Sequence, residues 1–254
     1  MNTTSQNQQR VVGPHAVEEA LKGGKPLNKA YIQQTEKQRL KELSRALKAK
    51  HVPVNFVPRE KLDRMSKAAH QGIIALSSPI EFRQLSEWLV PLKERQTHPV
   101  LVLLDGITDV RNLGAIARSA LSLGCAGLVI QQTSSAAINE EAIKASAGSL
   151  LHLPVYREPN LVDAAFMLQA EGFELAACTE HAQTSWEMVE VEQPLAIVLG
   201  AEGSGIQSRL LRAARFAGRI PMTGHVGSLN VSVAAGIALF LIRQKRQHNY
   251  HNRS

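Results

Sequence analysis

Residues 100–119 read VLVLLDGITDVRNLGAIARS. Val100, Leu101, Val102, Leu103 and Leu104 form a continuous apolar run, as expected of a strand buried on both faces of a parallel sheet. Asp105-Gly106 turns the chain. From there the period changes: Leu113, Ile116, Ala117 and Ala120 recur at helical spacing, which predicts a helix over 112–123 with Asn112 as its N-cap. A strand that passes through a turn into a helix is the building unit of α/β folds. The loop at the C-terminal end of such a strand is where open α/β sheets place ligands.

The same alternation continues C-terminally. Strands are expected at 128–131, 151–156, 173–178, 195–199 and 217–220, and helices at 139–147, 160–171, 207–214 and 232–247. This predicts a mostly parallel sheet with helices on both faces. N-terminal to it, residues 1–10 read as disordered. A helix at 15–21, a strand at 29–33, a helix at 38–50, a strand at 52–57, a helix at 59–65 and a strand at 70–76 make a small αβαβαβ module. Between the two, residues 80–98 carry Trp88, Pro91 and a mixed-charge run, and read as a linker containing a helix. The expected organisation is therefore an N-terminal domain over 1–79, a linker over 80–98 and a larger domain over 99–254.

Charge separates the same parts. The chain carries a net +7, but residues 1–80 hold 14 Lys/Arg against 6 Asp/Glu, whereas residues 81–254 hold 15 against 16. The basic excess lies in the N-terminal third, on a face that includes Lys37, Arg39, Lys41, Arg45, Lys48 and Lys50. Such a module suits a polyanion, or supplies general solubility. Aromatic residues are few there, so phosphate and shape contacts are favoured over base stacking. No apolar run is long enough to span a bilayer, and the polar start lacks a signal-peptide core. Cys125 and Cys178 form no CxxC and read as core residues of a cytoplasmic protein. No metal site is expected, because no Cys/His group has ligand spacing.

Three stretches bear candidate chemistry. In 105–119, Arg118 lies beside the apolar stripe: either it snorkels to an acidic neighbour or it has a chemical task. Gly114, one turn earlier, is expected to clear room beside the guanidinium. Residues 197–206, IVLGAEGSGI, open a strand into Gly200, Gly203 and Gly205 with Glu202 among them. This matches neither a Walker A loop nor GxGxxG, so a plain strand-to-helix turn and a ligand loop both fit. Residues 220–235, IPMTGHVGSLNVSVAA, set Gly224, Gly227, Ser228, Asn230 and Ser232 before an apolar helix, as a tight cap or a binding loop. His225 within it reads as exposed.

In combination, RNLGAIAR (111–118), VLGAEGSGI (198–206) and IPMTGHVGSLNVSVAAGIALF (220–240) resemble the SpoU/TrmH family of the SPOUT superfamily, S-adenosyl-L-methionine (AdoMet)-dependent RNA 2′-O-ribose methyltransferases. The N-terminal module, with GPHAVEEAL (13–21) and HQGIIAL (70–76), is similar to the L30e-like substrate-binding domain of that family. The resemblance implies a small α/β L30e-like domain followed by an α/β SPOUT domain with a parallel sheet and a C-terminal deep trefoil knot, an exception to the unknotted rule. It implies a homodimer joined through the knot region, with one site drawing on both subunits. Gly200, Ile220 and Leu229 are expected to contact AdoMet. Arg118, Asn112, Glu202, Ser228 and Asn230 are expected to form the catalytic set. Arg118 would activate the hydroxyl as a base or stabilise developing alkoxide; an arginine is almost always protonated, which favours the second role. Substrate readings are a guanosine ribose of 23S rRNA in the peptidyl-transferase region, a tRNA ribose, or RNA binding without catalysis.

Overall fold

The computed structural model describes residues 10–223 and 227–251. Contacts divide the chain into two compact units, one of residues up to 81 with 137–140, the other of 82–136 with 141 onward.

The first unit runs β1 (Arg10–Val12), α1 (Pro14–Lys22), β2 (Leu27–Gln33), a 3₁₀ turn (Gln34–Glu36), α2 (Lys41–Ala49), β3 (Val54–Val57), α3 (Arg59–Met65) and β4 (Ile73–Ser77). Its four-stranded sheet has the order β1-β4-β2-β3, parallel only between β2 and β3. Alternation along β2 and β4 divides two cores. Ala30, Ile32, Ile73 and Ala75 pack with Val17 of α1 and Leu43 and Leu47 of α2. On the other face Ile74 meets Val57 and Leu62 of α3. Nine of the ten residues expected to be disordered, 1–9, lie outside the described residues, and Arg10 opens β1. That three-residue strand pairs Arg10, Val11 and Val12 with Leu76, Ala75 and Ile74, so only a partner over sixty residues away makes it a strand. Helix α2 begins three residues later than expected, because Leu40 and Lys41 are held in turns by Glu36 and Gln38 carbonyls.

The second unit runs α4 (Leu85–Arg95), β5 (Val100–Asp105), α5 (Val110–Ser122), β6 (Gly127–Gln131), α6 (Glu140–Ala145), a 3₁₀ turn (Ser149–Leu151), β7 (Val155–Glu158), α7 (Leu161–Ala170), β8 (Glu174–Cys178), β9 (Thr184–Ser185), a 3₁₀ turn (Trp186–Met188), β10 (Leu195–Gly200), α8 (Ser208–Ala213), β11 (Phe216–Arg219) and α9 (Val231–His251). The seven strands are all parallel, in the order β7-β6-β5-β10-β8-β11-β9. Every residue of β5 is buried, as its unbroken apolar run requires. The stretch 80–98, read as a linker, holds α4, whose Leu85, Leu89 and Leu92 are buried in the same core as Leu101, Leu103, Ala196 and Val198. Pro91 lies inside that helix rather than at a break.

The start of α5 differs in a way that matters for the site. Its N-cap is Asp109, whose carboxylate accepts from the amides of Arg111 (2.7 Å) and Asn112 (2.9 Å). A carboxylate suits the positive end of a helix better than a neutral amide, and the side chain of Asn112 is left free for other bonds. Gly114 does not clear space for Arg118. A Cβ at Gly114 would lie 2.5 Å from Cβ of Ala145 and 2.9 Å from the Ser146 nitrogen, so this glycine admits the end of α6 against α5.

Helix α9 is fastened along its length. Trp186 Nε1 donates to the Ala238 carbonyl at 3.2 Å. Lys245 Nζ donates to the carbonyls of Glu187 (2.7 Å) and Val189 (2.6 Å). The Arg246 guanidinium donates to Val191 (2.9 Å), Gln193 (3.0 Å) and His98 carbonyls. Two of the basic C-terminal residues, Lys245 and Arg246, are thus structural grips on the 187–193 segment.

Candidate active site

Strand order reverses beside β5 and β10: β6 and β7 lie to one side, β8, β11 and β9 to the other. Clefts at the carboxyl ends of strands at such a switch point are the usual ligand sites of open α/β sheets. Here Asp105 ends β5 in register with Gly200, which ends β10. The buried Asp105 carboxylate accepts from the backbone amide of Gln207 (2.7 Å) and from its Nε2 (3.0 Å). It thereby ties the exit of the glycine-rich loop back to the neighbouring strand. The sequence reading gave Asp105 no role; its signal was a carboxylate at the end of an otherwise apolar strand.

The loop between is built on glycine. Gly205 N donates to the Ala201 carbonyl at 2.9 Å, which closes a tight turn around Glu202. Gly203 and Gly205 have φ of 89° and 64°, in the region that favours glycine. A Cβ at Gly200 would overlap the Gly205 carbonyl group and the Ile206 nitrogen. Of the readings left open for this loop, the structure therefore gives a turn that folds back over its own strand and holds Glu202 outward.

Three expected site residues meet there. Asn230 Nδ2 donates to Glu202 Oε1 (2.6 Å) and to Asn112 Oδ1 (3.0 Å), and Asn112 Nδ2 approaches the same Glu202 oxygen at 3.3 Å. The acceptor is charged, so these bonds are of the stronger kind. Asn230 is also the cap of α9: its Oδ1 accepts from Ser232 N (2.9 Å) and Ser232 Oγ (2.5 Å), and its carbonyl takes the first helical bond from Ala234 (2.9 Å). Glu202 therefore receives its hydrogen bonds from the two asparagines and not from Arg118.

Beside the triangle lies a pocket of ≈ 320 Å³, within the size range of ligand clefts. Of the site residues named from the sequence, Gly200, Glu202, Ser228, Leu229 and Asn230 line it. Leu199, Ile206, Val231 and Ala234 give it apolar walls, and Cys178, Thr179 and Glu180 bring the end of β8 to it. That last group was missed, because only the parallel register of β8 with β10 carries it there. Burial, with the Glu180 charge adding to it, pushes the Cys178 thiol up to about 12, so Cys178 is a neutral wall and not a nucleophile.

Two expected residues stand apart. Ile220, just past β11, is half-buried and is not among the lining residues. Arg118 is exposed on α5, outside the pocket lining, and makes no hydrogen bond or ion pair with a described residue. It neither snorkels to an acid nor joins the triangle within one chain. Gly224 and His225 lie outside the described residues. Among the described residues no group of three or more His, Cys, Asp or Glu could hold a metal ion, and no helix is long and apolar enough to cross a membrane.

The parallel sheet thus sets a carboxylate on a glycine-rich loop, with two asparagines bonded to it, at its switch point. The chain belongs to the SpoU rRNA Methylase family, which it matches over residues 99–240; residues 10–83 match the RNA 2′-O ribose methyltransferase substrate-binding domain. It is 37% identical over 237 residues to a TrmH family tRNA/rRNA methyltransferase of Staphylococcus aureus, covering 93% of this chain and 96% of the relative. Among solved structures, its fold is similar to the SpoU methyltransferase AviRb from Streptomyces viridochromogenes (TM-score 0.61, 22% identity, 96% of this chain and 91% of that one). It is also similar to an AdoMet-bound rRNA methyltransferase from Sinorhizobium meliloti (TM-score 0.59, 22% identity, 94% and 88%). The pocket fits this cofactor: apolar walls for adenosine, and carboxylates rather than lysines facing a cationic ligand.

Proposed function

We propose that this chain methylates the 2′-hydroxyl of a guanosine ribose in 23S rRNA, in the peptidyl-transferase region, as a cytoplasmic homodimer. The observation that carries the reading is the Asn112–Glu202–Asn230 triangle at the rim of a cofactor-sized pocket. AdoMet supplies an electrophilic methyl carbon on a positively charged sulfur. Gly200 and Leu229 hold it through main chain and apolar surface. Asn112, Glu202, Ser228 and Asn230 orient the ribose hydroxyl. Correct placement of reacting atoms supplies roughly 7–11 kcal/mol in favourable cases.

Arg118 acts from the second subunit. Exposed on α5 and unpaired with any described residue, it stabilises the developing alkoxide or grips the adjacent phosphate across the dimer interface. The deep trefoil knot that the family resemblance implies belongs to the same proposal. The basic face of the first unit, where Lys41, Lys48 and Lys50 are exposed and form no ion pair with a described residue, takes up the RNA backbone. The breadth of the relatives' description leaves tRNA as the second substrate reading, since it covers both RNAs.

The deciding experiment is transfer of labelled methyl from AdoMet to total RNA, with the modified ribose mapped. A single labelled guanosine in 23S rRNA is the expected result. Label confined to tRNA replaces the substrate, and no transfer to any RNA overturns the catalytic reading.

A further inference from the structure

Two carboxylates line the pocket, and their situations differ. Glu202 is committed: its Oε1 takes the amide of Asn230 at 2.6 Å and that of Asn112 at 3.3 Å. Glu180, at the end of β8, has among the described residues one ionisable side chain within 4 Å, His181 Nε2 at 3.7 Å, on a ring that is itself 82% exposed. Its charge nevertheless reaches the pocket interior, because it adds to burial in keeping the Cys178 thiol protonated. The other described lining residues are uncharged, so among the described residues the pocket wall is acidic and holds no cation.

We infer that Glu180 makes the pocket selective for charge on its ligand, favouring AdoMet over S-adenosyl-L-homocysteine. The inference rests on the reading that AdoMet sits in this pocket. The two ligands differ by the group that the reaction removes. Methyl transfer breaks the sulfur–methyl bond and forms an oxygen–methyl bond. The sulfur keeps the bonding pair and becomes a neutral thioether, and the hydroxyl proton leaves the ribose. One positive charge thus departs from the cofactor at each turnover, and the attraction of a nearby carboxylate departs with it. Glu180 is 41% exposed, so the attraction is screened and not that of a dry interior. A preference of about five- to tenfold is the expected scale, roughly 1.0–1.4 kcal/mol. Glu180 is in this sense a specificity residue that biases the empty pocket toward fresh cofactor.

The test is calorimetric affinity of the full chain and of Glu180→Gln for three ligands: AdoMet, S-adenosyl-L-homocysteine and sinefungin, whose amine restores a positive charge near the sulfur position. Glu180→Gln is expected to weaken AdoMet and sinefungin about five- to tenfold and S-adenosyl-L-homocysteine less than about twofold, with the difference shrinking at high salt. Equal weakening of all three, or no weakening, overturns the inference. Hydrogen exchange in 199–206 separates the two ways of failing. Protection by AdoMet with an unchanged affinity ratio rejects the role of Glu180 alone, and absence of protection rejects the pocket assignment with it.

Discussion

Asn230 donates to Glu202 at 2.6 Å through its amide nitrogen while its amide oxygen caps α9 at Ser232. One side chain starts the last helix and closes the site, and the two jobs use opposite ends of the amide. Asn230→Ser keeps a capping oxygen and loses the donor. It is expected to melt within a few degrees of wild type while methyl transfer falls at least about 100-fold. Asn230→Asp also keeps the cap but sets a second carboxylate against Glu202, and is expected to be as inactive and less stable. Calorimetric melting beside labelled-methyl transfer reads both; a serine variant with normal activity removes Asn230 from the site.

Gly200 is the position least tolerant of a side chain. Its Cβ would overlap the backbone of Gly205 and Ile206, neither of which is a movable side-chain end. Gly200→Ala is expected to cost about 1–3 kcal/mol and to weaken AdoMet binding by more than tenfold. Chemical denaturation and cofactor titration check the pair; an alanine variant of normal affinity contradicts the loop geometry.

Arg118→Ala is expected to abolish methylation, leave AdoMet affinity within about twofold and leave stability within about 0.5 kcal/mol, as for an exposed residue with no described partner. Mixing it with a Glu202→Gln chain distinguishes its subunit of action. Heterodimers regain one working site if Arg118 serves the partner's pocket, and none if each chain uses its own arginine.

A pH effect is expected in the first unit. His70 Nε2 bonds Asp63 Oδ1 at 2.9 Å, and this bond, with Arg59 and Lys67 nearby, holds the Asp63 carboxyl below the usual range. A depressed folded-state value means that the stabilisation is present above the unfolded carboxylate value, about 3.9, and is lost as pH falls through the folded one. Urea midpoints of wild type and Asp63→Asn should differ at about pH 5 and converge as pH falls below about 4. A gap that persists or grows below about pH 4 contradicts the assignment.

Basic residues divide by task. Lys41→Ala and Lys48→Ala are each expected to reduce the salt slope of RNA binding by about one and to leave stability unchanged. Arg246→Ala is expected to leave that slope unchanged and to lower stability by roughly 2–3 kcal/mol, because its guanidinium serves three backbone carbonyls. Filter binding across a salt series and thermal melting separate the two groups.

Much of this was legible in the residues. The apolar runs at 100–104 and 195–199 are local signals, and they mark the two central strands. Glu202 and Asn230 were legible as site residues only together with Asn112, since each alone fits a turn or a cap. What sequence could not carry was long-range pairing. β1 and β9 are two or three residues long and exist through their partners. Thr179 and Glu180 reach the pocket through the register of β8. The cap of α5 was misread because Asp109 and Asn112 are both good caps three residues apart, and only the amide geometry separates them. Arg118 was read as lying beside the apolar stripe with either an acidic partner or a chemical task, and the structure shows it exposed and unpaired with any described residue.

The fastening of α9 has a consequence for the order of events in synthesis. Asn230 is held in place by the helix it caps, and that helix is gripped at Ala238, Lys245 and Arg246 by residues 98 and 186–193, made much earlier. A chain that has not yet presented residues 245 and 246 carries the sequence of every strand and lacks the contacts that seat α9. The triangle is therefore a late product of folding, formed after the sheet that it sits on.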